Sequence, residues 1–160
     1  MVKVSLYVVG KIKEKFFTDA ISEYSKRLSA YCNLNIVKVA DEMTKDGASA
    51  KEIAEIKASE GKKLLAKIPQ DAYVCALCID GKMLDSEEIA DKILSKPLMQ
   101  HSHIAFVIGG SLGLSDEVIS RADIKLSFGK VTYPHQLMRV ILLEQVYRGF
   151  KIKSGEPYHK

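Results

Sequence analysis

The chain has 160 residues, 47% of them hydrophobic, a formal charge of +4 and three cysteines, which is the size of one domain able to bury a substantial core. A charge of +4 does not by itself announce a nucleic-acid binder, because such association follows clustered charge rather than a modest total. No run approaches the roughly 20 apolar residues that span a bilayer. Nothing at the N-terminus reads as a signal peptide, so a cytoplasmic protein with free thiols is expected.

Val2 to Val9 is β-branched and apolar, as a buried strand is, and Glu14 to Leu28 sets Phe17, Ile21, Tyr24 and Leu28 at helical spacing. Leu34 to Val39 alternates apolar and polar residues as a strand does, and the polar stretch Asp41 to Ser49 is a loop. Lys51 to Ile68 is a helix, weakened by Gly61 and ended by Pro69. Ala72 to Ile79 is a buried strand that runs into an expected turn at Asp80-Gly81. Asp85 with Glu88 forms a capping box for a helix that ends before Pro97. The strand Ile104 to Ile108, a short helix capped by Ser115, the strand Ile124 to Phe128, and a last helix with Pro134 in its first turn complete the chain.

Strands alternate with helices, so the expected fold is a single α/β domain over residues 1–160: a mostly parallel sheet with helices on both faces. Ligands of such sheets bind beyond the carboxyl ends of the strands. That rule points to three loops, 79–82, 109–114 and 128–134.

The last helix is apolar around nearly its whole circumference, from Leu137 and Met138 to Tyr147 and Phe150. A helix covering one face of a sheet needs only an apolar stripe, so this one is buried on two sides, by its own domain or by a second copy of the chain. Leu142 and Val146, four apart, share one of those sides. Basic residues gather at Lys11, Lys13 and Lys15 and again from Arg139 to Lys160, consistent with an anionic partner and equally with a solvated face.

Gly109-Gly110-Ser111-Leu112-Gly113 after a strand is either a tight turn or a place where a ligand lies against bare backbone; it does not fit a dinucleotide fingerprint or a phosphate loop. Cys75 and Cys78 lie three apart in a strand and face opposite sides of the sheet, which makes them buried thiols rather than chelators. His101 and His103 lack a third ligand, and no metal is expected. His135, after Pro134 at a helix start, is structural or catalytic. Arg139 and Arg148, charged within an apolar helix, are paired or aimed at a ligand such as phosphate. The tail Tyr158-His159-Lys160 is either frayed or a set for stacking, proton exchange and phosphate contact.

Several of these segments match one family in order. Val8-Val9-Gly10-Lys11, Tyr24-x-x-Arg27-Leu28, Gly109-Gly110-x-x-Gly113-Leu114, Thr132-x-Pro134-His135-x-x-x-Arg139-Val140, Glu144-Gln145-x-Tyr147-Arg148 and Pro157-Tyr158-His159-Lys160 resemble the RlmH family of SPOUT methyltransferases. The resemblance implies a C-terminal trefoil knot, a homodimer, and methyl transfer from S-adenosylmethionine to N3 of pseudouridine 1915 in helix 69 of 23S ribosomal RNA, on the assembled ribosome. A cofactor pocket of Leu77, Gly109, Phe128, Gly129, Lys130, Val131, Thr132 and Tyr133 is implied with it. His159 with Tyr158, then His135, are the candidates for helping the imide lose its proton, and Arg139, Arg148 and Lys160 those for holding RNA. A SPOUT methyltransferase of transfer RNA, or a non-catalytic RNA-binding protein of the ribosome, are the alternatives.

Overall fold

The computed structural model describes residues 1–160. Its elements are β1 (Val2–Val9), α1 (Lys15–Leu28), β2 (Cys32–Val39), α2 (Ala50–Lys67), β3 (Tyr73–Met83), α3 (Ser86–Lys92), β4 (His103–Ile108), α4 (Asp116–Arg121), β5 (Ile124–Ser127) and α5 (His135–Lys153). The strands form one sheet in the order β2-β1-β4-β3-β5, and every pairing is parallel.

Alternation along the strands divides the core in two. Val4, Leu6 and Val8 of β1 and Ile104, Phe106 and Ile108 of β4 face Leu28, Ile89, Ile93, Leu142, Leu143 and Val146, so α1, α3 and α5 cover one side. Tyr7, Val9, Ala105 and Val107 face Leu64, Ile68 and Val118, so α2 and α4 cover the other. The two leftward moves in the strand order pass over the first side and the two rightward moves over the second, which one crossover handedness requires. No helix is long and apolar enough to cross a membrane.

The local signals explain the helix starts. Asp85 and Glu88 make the anticipated capping box, Ser49 and Glu52 make another at α2, and the Ser115 hydroxyl accepts from the Val118 amide. Gly61 does not weaken α2 by chance: a Cβ there would lie 2.2 Å from Ser115 Oγ, so glycine lets α4 approach.

One expectation is corrected. Asp80-Gly81 is not a turn; β3 runs on to Met83, and Leu126 pairs with both Leu77 and Lys82 across an irregularity. The Ser127 hydroxyl donates to the Ile79 carbonyl at 2.7 Å, and a Cβ on Gly81 would meet the Lys125 backbone at 2.8 Å. The glycine serves a close strand approach rather than a reversal.

Candidate cofactor site and C-terminal tail

A cavity of ≈ 670 Å³ opens at the carboxyl ends of β3, β4 and β5. Leu77, Cys78 and Ile79 line it from β3, Ile108 to Gly113 from the turn after β4, and Leu126, Phe128, Gly129 and Val131 to Tyr133 from the end of β5 and its loop. Pro134, His135 and Met138 close it from α5. Two of the three segments picked out by the crevice rule, 109–114 and 128–134, meet here as loops, while the third, 79–82, contributes only Ile79 from within β3; of the eight residues implied for the pocket only the exposed Lys130 is not in its wall.

The glycine turn has its own geometry. Gly110 and Gly113 bridge each other, and Gly113 takes φ +88, a conformation that side chains rarely adopt. Gly109 is needed for space instead: its Cβ would meet the Gly113 carbonyl carbon at 2.7 Å and oxygen at 2.8 Å. Gly129 turns with φ +108 into open space. Apolar walls with bare backbone at two edges suit a flat heterocycle whose rim needs hydrogen bonds, and the volume fits a nucleoside-sized ligand.

His135 belongs to this wall. Burial, and next the charge of Arg139, hold its imidazole below the ordinary value while Asp41 opposes them, so the ring is neutral near pH 7. Its Nδ1 is buried without a partner.

Arg139 is not available to RNA phosphate as expected. It is 1% exposed, and its Nη2 donates to the carbonyls of Val9 and Gly10 at 2.8 and 3.0 Å. Arg148 is better placed, although it is engaged: Nε and Nη2 donate to Glu144 Oε1 at 3.0 and 2.7 Å, and the guanidinium lies 4.7 Å from the Tyr158 ring centroid.

The tail folds back along α5 rather than fraying. Glu156 accepts from Tyr31 and Lys151, and Tyr158 stacks edge-on against Tyr147 with its hydroxyl 3.3 Å from Glu144 Oε1. His159 Nδ1 is 3.3 Å from Arg148 Nη1. A guanidinium can only donate, so Nδ1 is the acceptor in this contact. His159 also lines a second cleft with Leu84, Ser86, Gln145 and Phe128, and Phe128 is the wall shared with the large cavity. Lys160 is exposed at the tip.

Sequence reasoning missed Glu144 as the anchor of this network and Met138 as a wall residue. Both were marked by helical spacing, Glu144 four before Arg148 and Met138 three after His135. His101 and His103 do not form a pair: the first bonds the Asp71 carbonyl, the second the Ser5 hydroxyl. Cys75 and Cys78 pack into the cores on opposite sides of the sheet.

A fully parallel sheet whose strand-end loops enclose a nucleoside-sized cavity, roofed by the start of a C-terminal helix, defines an α/β protein built to hold a nucleoside-like cofactor. A family model described as "Predicted SPOUT methyltransferase" matches residues 2–159. Proteins called ribosomal RNA large subunit methyltransferase H are 59% identical in Clostridium novyi over 98% of this chain and 99% of theirs, and 57% identical in Bifidobacterium adolescentis over 99% of both. A Legionella pneumophila protein solved in complex with the bound cofactor SAM shares the fold at 12% identity and TM-score 0.50, covering 92% of this chain and 66% of that one. The chain therefore belongs to the SPOUT methyltransferases, and within them to the ribosomal RNA large subunit methyltransferase H (RlmH) family.

Proposed function

We propose that the protein transfers a methyl group from S-adenosylmethionine to N3 of a pseudouridine in the helix 69 hairpin of 23S ribosomal RNA, acting in the cytoplasm on the assembled ribosome. The observation that carries this is the cavity itself: seven of the eight residues that family membership implies for the cofactor converge on it from β3, the turn after β4 and the loop after β5. The name of the relatives supports large-subunit ribosomal RNA as substrate; the position and the atom follow from the family resemblance.

When bound, S-adenosylmethionine supplies a methyl already activated by the sulfonium. The chain's residues then have two tasks, alignment and proton removal. Leu77, Ile79 and Val131 would offer apolar surface to the cofactor, and the backbone of Gly109 to Gly113 and Gly129 to Tyr133 would offer it donors and acceptors. The acceptor imide must lose its N3 proton as nitrogen attacks. His159 stands across Phe128 from the cavity and takes that proton at Nδ1 once Arg148 exchanges the imidazole for an RNA phosphate. Tyr158 holds the tail in place meanwhile, and Lys160 meets the backbone of the RNA. His135, neutral and already in the cavity wall, is the alternative acceptor.

A homodimer completes the reading. In helical projection Leu137 lies opposite Val146, with Ile141 about 40° from Leu137, and both Leu137 and Ile141 are only half-buried in the single chain. Leu142 and Val146, which the pattern offered as an interface, are each 1% exposed in the chain's own core. The pairing face is thus the Leu137–Ile141 side. The reading includes the C-terminal trefoil knot of the SPOUT family, which the family match over residues 2–159 supports.

The test is methyl transfer from labelled S-adenosylmethionine to ribosomes, separate subunits, free 23S RNA and transfer RNA in parallel. Label in the large subunit of whole ribosomes is expected; label confined to transfer RNA would select the other SPOUT substrate, and cofactor binding with no transfer a non-catalytic binder.

A further inference from the structure

Two features have no part in the cofactor cavity, the buried Arg139 and the Gly10-Lys11 turn, and they touch. Burying a guanidinium at 1% exposure is costly, and its Nε and Nη1 have no partner, so the two bonds from Nη2 to the Val9 and Gly10 carbonyls are what this residue provides. They pin the end of β1 where Gly10 turns with φ +82. A Cβ at Gly10 would lie 3.7 Å from Asp41 Cγ and 4.0 Å from His135 Cε1, so the turn is wedged between the end of β2 and the cavity wall.

The chain leaves that turn as an outward ridge. Lys11, Lys13, Glu14, Lys15 and Phe16 are exposed while Ile12 is half-buried beneath them. Phe16 is 67% exposed, and its ring leans on Phe17 at 4.4 Å between centroids. Lys11 and Lys13 form no ion pair, and the Lys15–Asp19 pair is too exposed to neutralise much. An exposed aromatic among lysines is the combination that grips unpaired RNA, the ring for a base and the ammonium groups for phosphates.

We propose that residues 11–16 are an RNA-docking ridge leading away from the Gly10 turn, which abuts His135 of the cavity wall, with Lys11 and Lys13 on phosphates, Phe16 stacked on an unpaired base, and Arg139 as the residue that positions them. The assignment rests on the reading of the chain as an RNA methyltransferase and adds where the RNA approaches. A second copy of the chain is the poorer occupant, because a two-fold contact centred here would set lysines against lysines.

The experiment measures binding of a fluorescein-labelled RNA hairpin with an unpaired loop across a salt series, together with S-adenosylmethionine calorimetry and light scattering. The double substitution Lys11→Gln, Lys13→Gln should lower the salt slope by about 1.4–1.8, at roughly 0.7–0.9 for each phosphate no longer neutralised. Phe16→Ala should weaken binding about 5–150-fold with the slope unchanged. Arg139→Met should weaken RNA binding and speed tryptic cleavage after Lys11 and Lys13; should that variant fail to fold, the lysine and phenylalanine arms decide alone. Wild-type affinity and slope in those arms would overturn the proposal, as would a change in oligomer mass with RNA affinity intact, which assigns the ridge to a second copy. Ridge-dependent RNA binding by a protein that methylates nothing would support the ridge while sinking the catalytic reading.

Discussion

Replacing Gly109 with alanine is the sharpest probe of the cavity, because the structure separates space from backbone conformation at neighbouring glycines. The new Cβ would sit 2.7 Å from the Gly113 carbonyl carbon, 2.8 Å from its oxygen and 3.0 Å from the Leu114 amide nitrogen, all backbone atoms that cannot rotate away. The turn must therefore move by several tenths of an ångström. Overpacking of this kind costs about 1–3 kcal/mol. For a chain of this length the melting temperature should fall by about 2–12 °C if the strain stays in the free protein. If the turn relaxes outward instead, ligand binding must push it back, and the same 1–3 kcal/mol appears as a Kd for S-adenosylmethionine raised about 5–150-fold. Gly113→Ala is the control: its Cβ meets nothing within 4 Å, so its cost is the φ of +88, about 1–2 kcal/mol without a collision. Calorimetry and thermal melts on both variants read the two costs. A Gly109→Ala protein with wild-type Kd and wild-type melting temperature would refute the packing argument and remove the turn from the site.

A chain ending at Pro157 should keep its fold and most of its cofactor affinity yet lose methyl transfer by ~10²-fold or more, the usual cost of a positioned acid–base group; full methylation of ribosomes by that chain would move the search for the base to His135. Ile141→Asp should yield monomers by light scattering with the fold intact, because the buried charge is unpaired only in the dimer, whereas Leu142→Asp should unfold the chain itself. His135 and His103 both have imidazoles held below the ordinary 6.5, chiefly by burial. The unfolded chain then binds more protons as pH falls below 6.5, so stability should drop as the pH descends from there. The urea midpoint should decline less steeply in His135→Gln, and identical pH profiles for the two proteins would remove His135 from that balance.

Local structure was legible in the chain where its causes are local. The capping pairs at Asp85–Glu88 and Ser115 set helix starts, and β-branched runs set strands, because these depend on a few neighbouring residues. Asp80-Gly81 misled because its glycine answers to Lys125, 44 residues away, and no local pattern carries that contact. The cavity was readable through the rule for parallel sheets, which locates strand ends without knowing side-chain directions. Arg139 was not, since an arginine in an apolar helix suits a ligand and a buried carbonyl clamp equally, and only the fold brings Val9 and Gly10 beneath it. The same holds for Leu142 and Val146: an all-round apolar helix does not say which side its own sheet takes, and the structure gives them to the core. The tail was ambiguous for a related reason, because the acceptor Glu144 that anchors Tyr158 lies in another motif.

The most direct test of the central claim is to incubate the protein and S-adenosylmethionine with ribosomes from cells lacking their own copy of this activity, and to map the product by nuclease digestion and mass spectrometry. One methyl on N3 of a single pseudouridine in the helix 69 hairpin of the large-subunit RNA, formed on whole ribosomes, is the predicted result. Ribosomes left unmodified by a protein that binds the cofactor, or a methyl placed elsewhere, would contradict it.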